Sequence, residues 1–196
     1  MRSLLAFINN LGLDQSSGYG IANKIVSFAM LIPAALMQSM ASFVGQNVGA
    51  NKTDRAKKAM YIGMLIGSVF GVFIIFLIFF LGKEVSMIFT DNSNYAFQSA
   101  EYLKGFALEA ILTCILFSYM GYFSGHNKTI FVMIQGLAQT FLVRLPMSYL
   151  MSIRPNPSLT LIGLAGPSAT LFGIIINAIY YIISSKKKKY QEIVID

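Results

Sequence analysis

The stretch Val44 to Ala59, VGQNVGANKTDRAKKA, decides the fold, because it records an apolar helix leaving a bilayer on its positively charged side. Upstream, Ile25 to Val48 (IVSFAMLIPAALMQSMASFVGQNV) holds no charge over twenty-four residues. At ~1.5 Å per residue such a helix covers ~36 Å, enough to cross ~30 Å of hydrocarbon with some tilt. Downstream, Lys52, Arg55, Lys57 and Lys58 follow within a few positions. Gly45 and Gly49 fall four apart on one helix face, which predicts close approach by a neighbouring helix.

The rest of the chain repeats this pattern. Ala59 to Leu81 is uncharged and carries Gly63, Gly67 and Gly71 at every fourth position, a helix-packing stripe. Gly82 to Tyr95 (GKEVSMIFTDNSNY) is polar and turn-rich and reads as an extramembrane loop with room for a short interfacial helix. Residues 106–125 form a further span containing Glu109, and HNKT at 126–129 allows only a tight turn before 130–151, which holds Arg144 and Pro146. After the Pro-rich SIRPNPS at 152–158, residues 159–185 make a last span, with Pro167 as an expected kink and Lys186 to Lys189 as its stop. Residues 3–12 extend only ~15 Å as a helix, about half a crossing, so the chain reads as beginning inside an element and as part of a larger unit. The expected fold is an all-α polytopic membrane helix bundle of five full transmembrane helices plus a truncated first helix, with 186–196 as a basic tail.

Composition agrees. Hydrophobic residues make up 56% of the chain and charged residues 12%, against roughly 45–50% and about 25% in soluble domains. The net charge of +7 comes from basic residues lying between spans, which excludes a nucleic-acid-binding stripe. With the 49–58 connection placed inside, Arg2, Lys52, Arg55, Lys57, Lys58, Lys128 and Lys186 to Lys189 lie inside, and Lys24, Lys83, Lys104 and Arg154 outside. That asymmetry predicts a multi-pass protein of the plasma (inner) membrane with both termini cytoplasmic. Cys114 is the single cysteine, so neither a disulfide nor a cysteine-based metal site forms within the chain. His126 stands without a second His or a Cys, and no metal site is expected. The sequons at Asn51 and Asn127 fall on the predicted cytoplasmic side and are discounted. No carboxylate pair, His cluster or Ser/His arrangement shares a membrane depth, so the chain is not read as an enzyme.

Glu109 is the sharpest candidate site, since a carboxylate within a span costs ~2.5–3.5 kcal/mol on insertion scales and faces a cavity or a partner. Counted from the cytoplasmic edge, Glu109 and Arg144 reach similar depths on adjacent antiparallel helices. Two readings follow: Glu109 binds a coupling cation or substrate, or it pairs with Arg144 as a structural ion pair, with Lys104 as a second partner nearer the interface. Gln38, Gln135, Gln139 and Asn177 are uncharged polar residues within spans, suited to helix-to-helix hydrogen bonds or to lining a substrate path. Gln135 and Gln139 share a face at i, i+4.

The order and spacing of NNLGLDQSSGYGIANKI (9–25), LIPAALMQSMASFVGQNVGANKTDRAKKA (31–59), MIFTDN (87–92), GYFSGHNKT (121–129) and RLPMSYLMS (144–152) resemble the C-terminal half of the multidrug and toxic compound extrusion (MATE) transporters. The resemblance implies one six-helix lobe of a twelve-helix antiporter that exports cationic or amphipathic small molecules in exchange for H+ or Na+, with no other cofactor. Alternating access between two symmetry-related lobes is implied too, so the implied partners are an N-terminal lobe or a second copy, the small-molecule substrate and membrane lipid. Glu109 falls on the equivalent of the family's helix ten, where some members carry their acid one turn away, at the position of Thr113. Asn9 and Asn10 are the polar residues of the partial first helix. A non-transporting membrane subunit or remnant, and a lipid flippase of related architecture, are the alternatives.

Overall fold

The structure, a computed structural model, describes residues 13–152, 160 and 163–195. Among the described residues the α-helices are, in order, α1 Leu13–Ala29, α2 Leu31–Gly49, α3 Thr53–Met87, α4 Ser93–Gly125, α5 Thr129–Ala138, α6 Leu145–Ser152 and α7 Ala165–Ile195, with a π-helical segment, Gln139–Arg144, joining α5 to α6. Among the described residues there are no strands, and five helical runs are long and apolar enough to cross a membrane: Asp14–Gly49, Thr53–Met87, Ser93–Gly125, Thr129–Met151 and Ala165–Lys186. The chain is a multi-pass helical membrane bundle.

Helix α4 is its axis, buried along most of its length, with α1, α2, α3 and α7 packed around it. Close approach explains the arrangement. A methyl group added at Gly67 of α3 would lie 2.6 Å from Cys114 Cβ, and one at Gly71 would lie 2.7 Å from Ile111 Cα. Gly67 and Gly71 are therefore the positions of the stripe that let α4 in, while Gly63 takes the Met40 side chain of α2. On the α2 side the expectation is reversed. Gly49 has open space around it and Gly45 meets only Gly125 O at 3.7 Å, whereas a methyl at Gly125 would lie 2.7 Å from Val44 Cβ and one at Gly121 2.6 Å from Met37 O. The small residues that seat α2 belong to α4.

Two connections use one device. Asn51 (φ 57°) and Asn127 (φ 59°) adopt the left-handed conformation, which Asn tolerates better than most side chains. Lys52 N–H donates to Asn47 O at 2.8 Å and Lys128 N–H to Phe123 O at 2.9 Å, while Asn51 N–H and Asn127 N–H donate to Val48 O and Ser124 O at 3.0 Å. This is the Schellman pattern, which satisfies carbonyls left over at a helix end. The two Asn-Lys-Thr triplets are thus helix reversals, each followed by a helix starting at Thr53 or Thr129.

Several sequence boundaries shift. The region expected as a loop, 82–95, is largely helical: α3 runs on to Met87 past a kink at Leu81 (φ −125°, ψ 15°). Ser86 is buried and joins α4 through a 2.9 Å bond between its hydroxyl and Ser99 Oγ, while Lys83 and Glu84 point outward from the same helix. Helix α4 then starts at Ser93, with Asn92 Oδ1 accepting from Asn94 N–H at 2.9 Å as an N-cap. The span at 25–48 belongs to a longer run broken at Met30, because Pro33 offers no N–H and its ring crowds the carbonyl of Ala29. Near Pro167 the helical path, present at Thr160 and Gly163, breaks at Leu164, three residues before the proline as at Met30 before Pro33, and α7 restarts at Ala165 with Pro167 in its first turn. The helix also continues beyond Lys186 to Ile195.

Candidate functional site

Helix α7 presents Gly166, Thr170, Gly173 and Asn177 along one face, and polar heads from two other helices come to it. Glu109, on α4, is buried. Its Oε1 accepts from the Thr170 hydroxyl at 2.9 Å, and its Oε2 has no hydrogen-bond partner. The carboxylate rests on Gly166, where an added methyl would lie 2.8 Å from Oε2. Thr113 follows one turn along α4, buried and near enough to act on the carboxylate, without a formed hydrogen bond.

The next level is built of amides. Gln135 Nε2 donates to Gln139 Oε1 at 2.7 Å, and both heads press on Gly173, where a methyl would lie 2.7 Å from Gln135 Nε2. Asn177 Nδ2 donates to Gly173 O at 2.7 Å. Gln135 and Asn177 are buried, with Gln135 Oε1 and Asn177 Oδ1 lacking partners. Past the amides lies an aromatic cluster: Phe131 stacks on Tyr180 at 3.9 Å between centroids, Phe123 meets Tyr180 edge-on at 5.2 Å, and Lys128 Nζ lies 4.8 Å above the Tyr180 ring.

The second of the two readings, an ion pair between Glu109 and Arg144, does not form. No contact within 4.0 Å joins Glu109 to Arg144; the ion pairs among the described residues are Asp54–Lys57 at 3.6 Å and Glu101–Lys104 at 2.7 Å. Lys104 is thus taken by an acid on its own helix. Arg144 closes the π-helical segment, half-buried, and its charge acts on Glu109 and Tyr102 from a distance. The carboxylate turns to Thr170 and the bare backbone of Gly166. A wide π turn just ahead of Pro146, which lacks the N–H for a regular helical bond, sets where Arg144 emerges.

Of the remaining candidates, Gln38 lies exposed on α2. Asn9 and Asn10, with the partial first helix, fall outside the described residues. Sequence reasoning passed over Gly166, Thr170 and Gly173, although their spacing with Asn177 is an i, i+4, i+7, i+11 pattern in an otherwise apolar span. Among the described residues no group of three or more His, Cys, Asp or Glu side chains gathers as a metal site.

A family model, MatE, matches residues 3–150, three quarters of the chain. The chain belongs to the MatE family. Its similarity to curated MatE-like proteins is low in identity and broad in extent. The probable multidrug resistance protein YoeA of Bacillus subtilis is 24% identical over 92 residues, covering 47% of this chain and 20% of that protein. The probable multidrug resistance protein NorM of Bacillus cereus is 23% identical over 145 residues, 74% of this chain and 32% of that protein. The multidrug resistance protein MdtK of Photorhabdus laumondii is 21% identical over 170 residues, 87% of this chain and 36% of that protein. The chain spans about a third or less of the length of these relatives. The MatE match ends before α7, so the helix that receives Glu109 lies beyond it.

Proposed function

We propose that this chain is one lobe of a cation-coupled multidrug efflux antiporter in the plasma membrane, with cytoplasmic termini, exporting amphipathic or cationic small molecules by alternating access against a second lobe or a second copy. It acts as a transporter, without enzymatic chemistry and without a nucleic-acid partner. Membership of the MatE family and the multidrug resistance names of its relatives support the substrate class. The observation that carries the coupling role is Glu109: a buried carboxylate within a span, with one oxygen held by Thr170 and the other unpartnered. A permanently structural carboxylate at that depth would have both oxygens satisfied, because nothing in hydrocarbon compensates an orphan. A single free oxygen flanked by hydroxyls suits a proton, so the proton is the favoured coupling ion over sodium. Binding and release of the ion change the charge at the contact between α4 and α7, and that change biases two packings of the lobe.

In a transporter containing this lobe, Glu109→Gln is expected to abolish ion-gradient-driven efflux of a fluorescent cationic dye from cells or proteoliposomes. Undiminished efflux in the variant overturns the coupling role. Dye efflux driven by a sodium gradient at constant pH overturns the choice of ion.

A further inference from the structure

The first turns of α3 divide their charges between two faces. Asp54 and Lys57 pair at 3.6 Å and line a basin on the α7 side, together with Lys128, His126 and Ser184. Arg55 and Lys58, three positions apart on another face, crown a separate groove of about 530 Å³ between α2 and α3. Both are exposed, and neither makes an ion pair among the described residues. Away from them the groove turns apolar. Its walls are Leu36 and Phe43 of α2 and Ala59, Ile62 and Ile66 of α3; Met40, folded onto the bare backbone of Gly63, makes its floor, and Ser39 adds a hydroxyl. From Arg55 to Ile66 the groove covers ~16.5 Å of helix, close to half of the ~30 Å of hydrocarbon in a bilayer. That is the depth of one leaflet.

We propose that this groove holds one anionic phospholipid of the leaflet on the basic side, with its phosphate on Arg55 and Lys58 and one acyl chain along Phe43, Ile62 and Ile66. The site is separate from the Glu109 carboxylate, and it stands whether or not that residue couples transport. Charge decides the occupant. Residues 52–58 carry four cations and one acid, and the acid, Asp54, is engaged by Lys57 at the basin instead of the groove. A protein surface seated here would have to bring a matching acid to the membrane edge, whereas an anionic phospholipid carries its phosphate and its chain at these two depths. The Arg55 guanidinium is shaped to take two phosphate oxygens in a forked pair of hydrogen bonds, and the Lys58 ammonium adds a further charged donor. Because Arg55 lies in the first turn of α3, the partial positive charge of the helix N-terminus acts in the same sense. The surface beyond the groove suits acyl chains as well: every exposed residue of α3 from Ile62 to Leu81 is large and apolar.

The chain contains no tryptophan, so Phe43→Trp puts a single fluorophore on the groove wall, and Phe76→Trp puts one on the exposed face of α3 away from it. Should Phe43→Trp disturb the fold, Ile62→Trp reports from the opposite wall. The purified chain is reconstituted in phosphatidylcholine vesicles, into which brominated phosphatidylglycerol or brominated phosphatidylcholine is titrated. In Phe43→Trp, half-quenching is expected at a mole fraction of phosphatidylglycerol about tenfold below that of phosphatidylcholine, a preference that two basic residues at a membrane surface supply. In Phe76→Trp the two lipids are expected to quench alike. Arg55→Gln combined with Lys58→Gln is expected to erase the preference at position 43, and Lys57→Gln to leave it unchanged. Equal quenching by the two lipids at position 43, or an equal loss of preference in Lys57→Gln, overturns the site in favour of diffuse surface charge. Quenching by neither lipid, with emission that depends on the protein-to-lipid ratio, overturns it in favour of a second copy seated on the groove. Soluble glycerol phosphate at millimolar concentration is expected not to compete; competition would overturn the lipid in favour of a free phosphate ester.

Discussion

The Thr170 hydroxyl donates to Glu109 Oε1 across 2.9 Å, joining the axial helix α4 to α7 at a carboxylate that forms no ion pair among the described residues. The pair bears on both function and stability, and the two can be measured apart. Thr170→Val, which keeps shape and removes the donor, is expected to cost ~1–3 kcal/mol of stability, the usual range for stranding a buried acceptor, and to slow dye efflux. Thr170→Ser is expected to restore both. Thermal unfolding in detergent and efflux rates check this; a valine variant as stable and active as the wild type shows the bond is incidental.

Arg144 supplies the contrasting case. Since it makes no ion pair with Glu109, a double-mutant cycle of Glu109→Gln with Arg144→Gln is expected to give a coupling energy below ~1 kcal/mol, whereas removal of one partner of a buried pair typically costs ~3–5 kcal/mol. A coupling of several kcal/mol would restore the ion pair.

The glycines of α3 divide sharply from others. Gly71→Ala would set a methyl 2.7 Å from Ile111 Cα, a backbone atom that cannot step aside. Overpacking of this kind costs ~1–3 kcal/mol. Gly20→Ala, where nothing lies within 4 Å on an exposed helical face, is expected to stabilise by ~0.5–1 kcal/mol through helix propensity. Unfolding midpoints of the two variants are expected to move in opposite directions.

The paired reversals at Asn51 and Asn127 allow an internal replicate. With φ at 57° and 59°, Asn→Ala at either site is expected to lose ~1 kcal/mol, and Asn→Gly to match or exceed the wild type. Loss on Asn→Gly at both positions would mean that the side-chain amide, and not the backbone conformation, holds the turn.

Much of the bundle was legible in the residues. The stripe at Gly63, Gly67 and Gly71 announced a close helix contact because its period is helical and its side chains are absent. Uncharged runs near twenty residues announced spans because hydrocarbon has a fixed thickness. Glu109 stood out because a carboxylate is expensive there. What failed was local polarity as a guide to loops: Ser86 and the charged pair Lys83 and Glu84 sit on a helix, since a serine can bond its own preceding turn, as Ser86 Oγ does to Gly82 O at 2.7 Å, and charges can face outward.

The sequence by itself determined which segments cross, where small residues permit contact and which side chain is costly enough to need a reason, because each of these depends on a segment and its solvent. Only the tertiary structure decided that Glu109 turns to Thr170 instead of Arg144, and that Gln135 and Gln139 meet α7 at Gly173. Those outcomes depend on the rotation and register of α4, α5 and α7, set by how their glycines and rings interlock, and these are properties of the packed helices and not of any one segment.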